Sequence, residues 1–337
     1  MSQVTATALG PWPGQDPVEA MRIIRGELGG PHLPFLPELP DRGVGSDAVG
    51  RTASLLMELA VDVQPHGWRL VDRPGQDMRR AASALSTDIN VLADLAGEED
   101  VQAPSLKVQL LGPLSLAAGL YLHNGERALL DYGARRDIAA SLAAGVEGHL
   151  RKVSAAVPAA RLVVQVDEPD IAAVLAGTIP TASGYQTLRS LGRQEATESL
   201  RLVVKALHDA GASEVVVAVP EVEAPFDIIF AAGADGVAVP LKALTTRQWE
   251  HLATGIESGK RLWAGAADVG GSSLPATADI VESVWRPWRQ LGLTPESVPA
   301  VRLTPSAGLE GLQPKQATAV LTRLVQAADE LDQLALG

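Results

Sequence analysis

Short apolar runs rich in β-branched residues recur along the chain and alternate with longer segments of helical period. Eight runs read as strands: 4–9, 61–65, 107–111, 161–166, 214–219, 236–239, 261–264 and 300–303. Each is taken as continuously apolar, the pattern of parallel strands covered on both faces. The spacing predicts helices over 17–27, 47–59, 77–95, 134–157, 195–210, 226–232, 247–257, 277–291 and 314–334. In 134–157, Ile138, Leu142, Val146, Leu150 and Val153 stand at steps of four and three, while Arg135, Asp137, Glu147 and Lys152 fall elsewhere. Segment 195–210 repeats this pattern, and Gly211 supplies a helix-ending residue that tolerates positive φ. Eight strand–helix alternations predict an α/β fold, a single (β/α)8 TIM barrel over residues 1–337. An open doubly wound sheet is the alternative, but the first strand–helix turn has no Gly-x-Gly-x-x-Gly pattern.

Two stretches break the rhythm. Segment 29–45 carries Pro31, Pro34, Pro37 and Pro40, which bar regular helix and sheet ladders. It reads as an ordered Pro-rich excursion, because Leu33, Phe35, Leu36 and Leu39 need burial; an extra helix follows it. Segment 176–193, with Gly177, Pro180, Ser183, Gly184 and Tyr185, suits a loop over the barrel mouth.

Composition narrows the function classes. A chain of 337 residues that is 46% apolar can build a sizeable core. With 28 Lys plus Arg against 40 Asp plus Glu, the formal charge is −12, which disfavours nucleic acid as a partner. The absence of cysteine removes disulfides, thiolate nucleophiles and every Cys-containing zinc site. No basic segment followed by an apolar one opens the chain, and no apolar run approaches the ~20 residues of a membrane span. The expectation is a cytoplasmic protein with no membrane partner.

In such barrels ligands bind at the strand C-termini. The run Gln165-Val166-Asp167-Glu168-Pro169 is the best signal there: an apolar strand ends abruptly in two carboxylates, able to hold a ligand ammonium or to act with a raised pKa. The competing reading makes Glu168 a helix cap and Asp167 a backbone acceptor. His66 is a base, a ligand-binding group or a structural residue. Trp12 and Trp68 wall a flat ligand or close the core. Arg69 with Arg73 clamps a carboxylate or sits in solvent. Glu221, Glu223 and Asp268 join Asp167 in an acidic set suited, if to any metal, to a hard cation. Ser306 follows the last strand.

At these residues the chain resembles the C-terminal catalytic barrel of the cobalamin-independent methionine synthases, over essentially its whole length. Leu9-Gly10-Pro11-Trp12-Pro13 resembles the family's Ile-Gly-Ser-Phe-Pro, and Asp62 to Gly67 its Asp-x-x-x-His-Gly-Glu. Leu111-Gly112-Pro113-Leu114-Ser115 is similar to Gly-Pro-Val-Thr, residues 165–169 to Gln-Ile-Asp-Glu-Pro, and residues 304–309 to Asn-Pro-Asp-Cys-Gly-Leu. The resemblance implies methyl transfer to a zinc-bound thiol, with Asp167 on the amino acid's ammonium group. It also places the family's zinc ligands on residues 220–223, Pro240 and Ala307, its catalytic His on Gly270, its amine-gripping Glu on Trp68 and its folate-binding Glu on Ala173. The expectation is therefore a diverged barrel without zinc, with folate as a ligand class that no residue supports.

Three functions compete. One is a small-molecule-binding barrel, methyltransferase-like if it is catalytic. The second is a metal-free decarboxylase on the related uroporphyrinogen-decarboxylase-like barrel. The third is a non-catalytic ligand sensor or partner subunit, with another protein or a second copy as its partner.

Overall fold

The computed structural model describes residues 3–99, 103–220, 224–271 and 273–336. Its strands are β1 (Thr5–Ala6), β2 (Ala60–Gln64), β3 (Gly67–Val71), β4 (Ser105–Leu111), β5 (Arg161–Asp167), β6 (Glu214–Ala218), β7 (Gly236–Pro240), β8 (Arg261–Ala267) and β9 (Val301–Pro305). Seven form one curled parallel sheet in the order β1-β9-β8-β7-β6-β5-β4. Helices cover its outer face, as expected when every connection is a crossover between parallel strands.

The run at 61–65, expected as the second barrel strand, is not in that sheet. It is β2, paired antiparallel with β3 in a hairpin with Val61 opposite Leu70 and Val63 opposite Trp68. The place between β1 and β4 is taken by the Pro-rich segment instead. Leu33 N donates to Ala6 O, Glu38 N to Gly10 O and Trp12 N to Glu38 O. On the other side Lys107 N donates to Pro34 O and Leu36 N to Lys107 O. The prolines prevent a continuous ladder but not these bonds, which use amides lying between them. The excursion is thus the closing stave of the barrel, and the sequence pattern had assigned that role to the wrong segment.

The helices follow their apolar stripes. Asp16 caps Pro17–Glu27 by accepting from the Val18 and Glu19 amides. Tyr132–Ala156 buries Ile138, Leu142, Val146, Leu150 and Val153. The helix expected over 47–59 is shorter, Ala48–Ala53. Two short helices, Pro113–Gly119 and Ile171–Ala176, follow β4 and β5 without having been predicted. One core lies between sheet and helices. A second lies inside the barrel around Leu33, Val163, Val216, Ala238 and Trp263. Among the described residues, no helix is long and apolar enough to cross a membrane.

The strands are not uniformly apolar. In β4 and β5, Lys107, Gln109, Gln165 and Asp167 alternate with apolar residues, and the register sets Gln109 beside Gln165 and Leu111 beside Asp167. Alternate residues of a strand share a face, so these polar groups all point into the barrel.

Candidate functional site

A cavity of about 330 Å³ opens at the C-terminal ends of the strands. That volume is at the lower end of the usual range for small-molecule sites, roughly 300–1,000 Å³. Leu9 and Pro11 after β1, Glu38 of the closing segment, Leu111, Asp167, the ends of β6 and β7, and residues 304–308 with Glu310 line it. Most of the wall is apolar, and the carboxylates of Glu38, Asp167 and Glu310 interrupt it.

Asp167 is half-buried at the end of β5. Gln165 Nε2 donates to its Oδ1 at 2.6 Å and to Leu9 O at 2.7 Å. The other end of the Gln165 amide accepts from Lys107 Nζ at 2.9 Å, and Gln109 Oε1 accepts from the same ammonium at 3.1 Å. Gln109 Nε2 in turn donates to Leu36 O at 2.7 Å, tying the network to the closing segment. Gly10, at φ 126°, must be glycine here: a Cβ would come within 2.6 Å of the Gln109 side chain. Burial raises the Asp167 carboxyl above the usual carboxylate range, and the nearby Glu38 adds to this, while Lys107 and Gln165 work against it. Lys107, fully buried, is shifted down by the same desolvation. Burial also raises Glu38, partly offset by Arg51 and Lys107.

Glu168 plays a different part from its neighbour. It is wholly buried and does not line the cavity. Its carboxylate accepts from Leu114 N at 3.0 Å, Ser115 N at 2.9 Å and Ser115 Oγ at 2.7 Å. It therefore caps Pro113–Gly119 from the end of the neighbouring strand, supplying acceptors for amides that a helix start leaves open. Gly112 permits the approach, because a Cβ there would lie 2.2 Å from Glu168 Oε1. Burial lifts this carboxyl to about 7, against the pull of those hydrogen bonds.

The remaining sequence candidates scatter. Trp12 is 1% exposed and packs against Phe35 with ring centroids 6.4 Å apart, inside the core. Trp68 is buried, and its Nε1 donates to Asp47 Oδ1 at 2.9 Å, anchoring the cap of Ala48–Ala53. His66 is exposed at the β2–β3 turn, and Arg69 pairs through its backbone with Tyr121. Neither these four nor exposed Arg73 lines the cavity. For His66, Trp68, Arg69 and Arg73 the expectation rests on 61–65 as a barrel strand, and its placement in a hairpin removes the reason. Trp12 does follow the first strand, but its ring turns into the core against Phe35. Segment 176–193 also contributes nothing to the cavity wall. Asp268 lies in an adjoining groove of about 900 Å³ that shares Pro220, Pro240 and Ser306 with the cavity. Lys242 Nζ, 2.8 Å away, and the Gly270 amide hold the Asp268 carboxyl below the usual range. Ser306 lines both spaces. Glu221 and Glu223 lie outside the described residues.

Four participants were missed: Glu38, Glu310, Lys107 and Thr304. Glu38 stands within a run of residues that need burial, which was a signal. The alternation of Lys107 with Gln109 was another. Thr304 opens the strand-end motif 304–309, but its motif position assigns it no role, and Glu310 has no signal without the fold. Thr304 is 1% exposed, and its Oγ1 has no hydrogen-bond partner.

The positions that the resemblance assigns to zinc ligands after β7 and β9 are Pro240 and Ala307. Both line the cavity and neither carries a donor side chain. Among the described residues, no group of three or more His, Cys, Asp or Glu is placed to hold a metal. The family described as the catalytic domain of cobalamin-independent synthases matches residues 3–330. No curated protein matches the chain. A B12-independent methionine synthase from Shewanella sp. W3-18-1, solved with selenomethionine, is similar in structure at 12% identity and TM-score 0.62, over 100% of this chain and 99% of that one. A methyltransferase from Methanosarcina mazei is similar at 12% identity and TM-score 0.56, over 98% and 94%.

Proposed function

The chain belongs to the family of cobalamin-independent synthase catalytic domains, and on that premise we propose that it binds a small ligand bearing an ammonium group at the strand C-termini, without making methionine unaided. The ligand is of amino-acid size, with a folate-like molecule as the second class the family offers. Asp167 receives the ammonium. The observation that carries this reading is the placement of Asp167: a desolvated carboxylate in the cavity wall, oriented by Gln165, with Glu38 as a second carboxylate in the same wall. In the Shewanella protein the bound molecule, selenomethionine, carries an ammonium group.

Thiol methylation is a different matter. A free thiol with a pKa of about 8.5 is only a few per cent thiolate at neutral pH, and a bound zinc ion removes that barrier. The groups here do not fit such a zinc. The chain has no cysteine, none of its six histidines lines the cavity, and Pro240 and Ala307 offer nothing. Glu221 and Glu223 would bring hard oxygen donors, which suit hard ions better than a thiolate partner. If the barrel is catalytic, it transfers a methyl or other group without zinc. The decarboxylase alternative loses its support, because its carboxylate clamps, Arg69 and Arg73, are not in the cavity wall.

Calorimetry with methionine and homocysteine on the wild type and Asp167→Asn tests the binding reading, and metal analysis tests the rest. Binding that Asp167→Asn abolishes and sub-stoichiometric zinc are expected. Binding indifferent to that change, or one tightly held zinc per chain, contradicts the reading.

A further inference from the structure

The charge and donor pattern of the cavity is one-sided. Five of its lining residues, Pro11, Pro169, Pro220, Pro240 and Pro305, are prolines at or just past strand ends. Each removes an N–H where a barrel ordinarily offers backbone donors to an anion. The non-proline turn at 306–308 does not restore them freely, because Glu310 is folded over it: a Cβ on Gly308 would lie 2.1 Å from Glu310 Oε2. Among the described residues, no Lys, Arg or His lines the cavity. Lys107 and Arg51, which flank the wall carboxylates, are committed elsewhere. Lys107 Nζ is bound by Gln109 and Gln165 beneath Asp167. Arg51, 3.8 Å from Glu38, bonds to Asp88 at 2.6 Å.

An independent observation concerns Thr304 in the same wall. Arg302 on β9 points into the barrel, where it meets Glu214 and lies over the Trp263 ring at 4.8 Å. Thr304, two residues on, shares that face one step nearer the mouth. Its hydroxyl is buried against the cavity and unpartnered. A buried polar group with no partner is costly unless something arrives to satisfy it.

Building on the ammonium reading of Asp167, we propose that the cavity selects a compact organic amine that carries no carboxylate or phosphate, its ammonium bonded by Asp167 and Thr304 with Glu38 and Glu310 as flanking charges. An amino acid would bring its own carboxylate into a wall of carboxylates and prolines, with no cation to receive it and only the Thr304 and Ser306 hydroxyls as side-chain donors. Like-charge contact and lost solvation then act against the zwitterion. The apolar remainder of the wall accepts an uncharged tail.

Three probes of matched tail separate the possibilities: 3-methylthiopropylamine, methionine and 4-methylthiobutanoate. They carry the ammonium alone, both charges and the carboxylate alone. Each is titrated calorimetrically into the full chain, the Thr304→Val variant and the Asp167→Asn variant, with thermal unfolding as the check on folding. The expected result is amine binding at least about tenfold tighter than methionine, and no heat from the butanoate. Thr304→Val and Asp167→Asn should each weaken the amine by about tenfold or more, the scale of a hydrogen bond to a charged group. If methionine binds through Asp167 at least as tightly as the amine, or the butanoate binds, the selectivity is overturned while the ammonium site stands. If no probe binds, or amine binding ignores Asp167→Asn, the ammonium site falls as well.

Discussion

The barrel interior holds buried charge at both ends, and the two ends are built on opposite principles. At the N-terminal end, Glu214 accepts from Trp263 Nε1 at 3.0 Å, meets Arg302 at 3.3 Å and has Arg261 at 3.6 Å. One carboxylate faces two guanidiniums and an indole, and the set is closed. At the C-terminal end, Asp167, Glu38 and Glu310 share a wall with an unpartnered Thr304 hydroxyl, and the cation below them is engaged by two amides. A saturated polar cluster serves the fold, while an unsaturated one is poised for something that arrives from outside.

That contrast predicts stability effects of different size. Glu214→Ala leaves two arginines facing each other beneath the barrel and should destabilise by about 3–5 kcal/mol. Asp167→Asn removes a desolvated carboxylate whose partners remain satisfiable, and should change stability by less than about 1 kcal/mol. Urea unfolding of both variants checks the pair, and similar losses at the two ends would erase the distinction.

Glu168 sharpens the same point within one dipeptide. It accepts three hydrogen bonds at the start of Pro113–Gly119, so Glu168→Ala should cost about 2–3 kcal/mol, between the other two. Denaturant midpoints for Asp167→Asn and Glu168→Ala give the comparison directly. A more harmful Asp167→Asn would mean that the roles are exchanged.

Stability against pH provides a third test. Glu168, lifted to about 7, and Asp167, also raised by burial, bind their protons more tightly in the folded chain than in the unfolded one. Their contribution is therefore fully present below the ordinary carboxylate value, about 4, and is lost as pH rises through the folded values. Around Asp167 the charged groups are Glu38 and Lys107, with Glu168 next in the chain; of these Lys107 alone opposes the rise, helped by the Gln165 hydrogen bond. Asp167→Asn should thus gain on the wild type as pH climbs from about 4 to 7. Unfolding curves at several pH values check this, and a variant that loses ground over that range would contradict it.

The smallest effect belongs to Thr304. Replacing an unsatisfied buried hydroxyl with a methyl of the same shape should leave stability unchanged or raise it by up to about 1 kcal/mol in Thr304→Val. A clear loss in thermal unfolding would show that the hydroxyl already has a structural partner.

What was legible in the sequence divides along similar lines. Helices with a sustained apolar stripe, such as Pro17–Glu27 and Tyr132–Ala156, were readable because period alone specifies them. The barrel followed from their alternation with strands. The closing segment was not readable, because Pro34 and Pro37 argue against a ladder and only the fold shows that two edges can bond to the amides between them. The same error carried His66, Trp68 and Arg69 into the expected site, since β2 has strand composition but pairs locally. Asp167 was visible as a carboxylate at the end of an apolar run. Glu38, Lys107 and Thr304 reach it through the curvature of the sheet, a relation between distant segments that periodicity does not express.

The most direct test of the account is a crystal structure of the chain grown with 3-methylthiopropylamine. It predicts the nitrogen within hydrogen-bond distance of both an Asp167 carboxylate oxygen and Thr304 Oγ1, with the thioether against the apolar wall. A reversed orientation, or a ligand seated only in the adjoining groove beside Asp268, would contradict it.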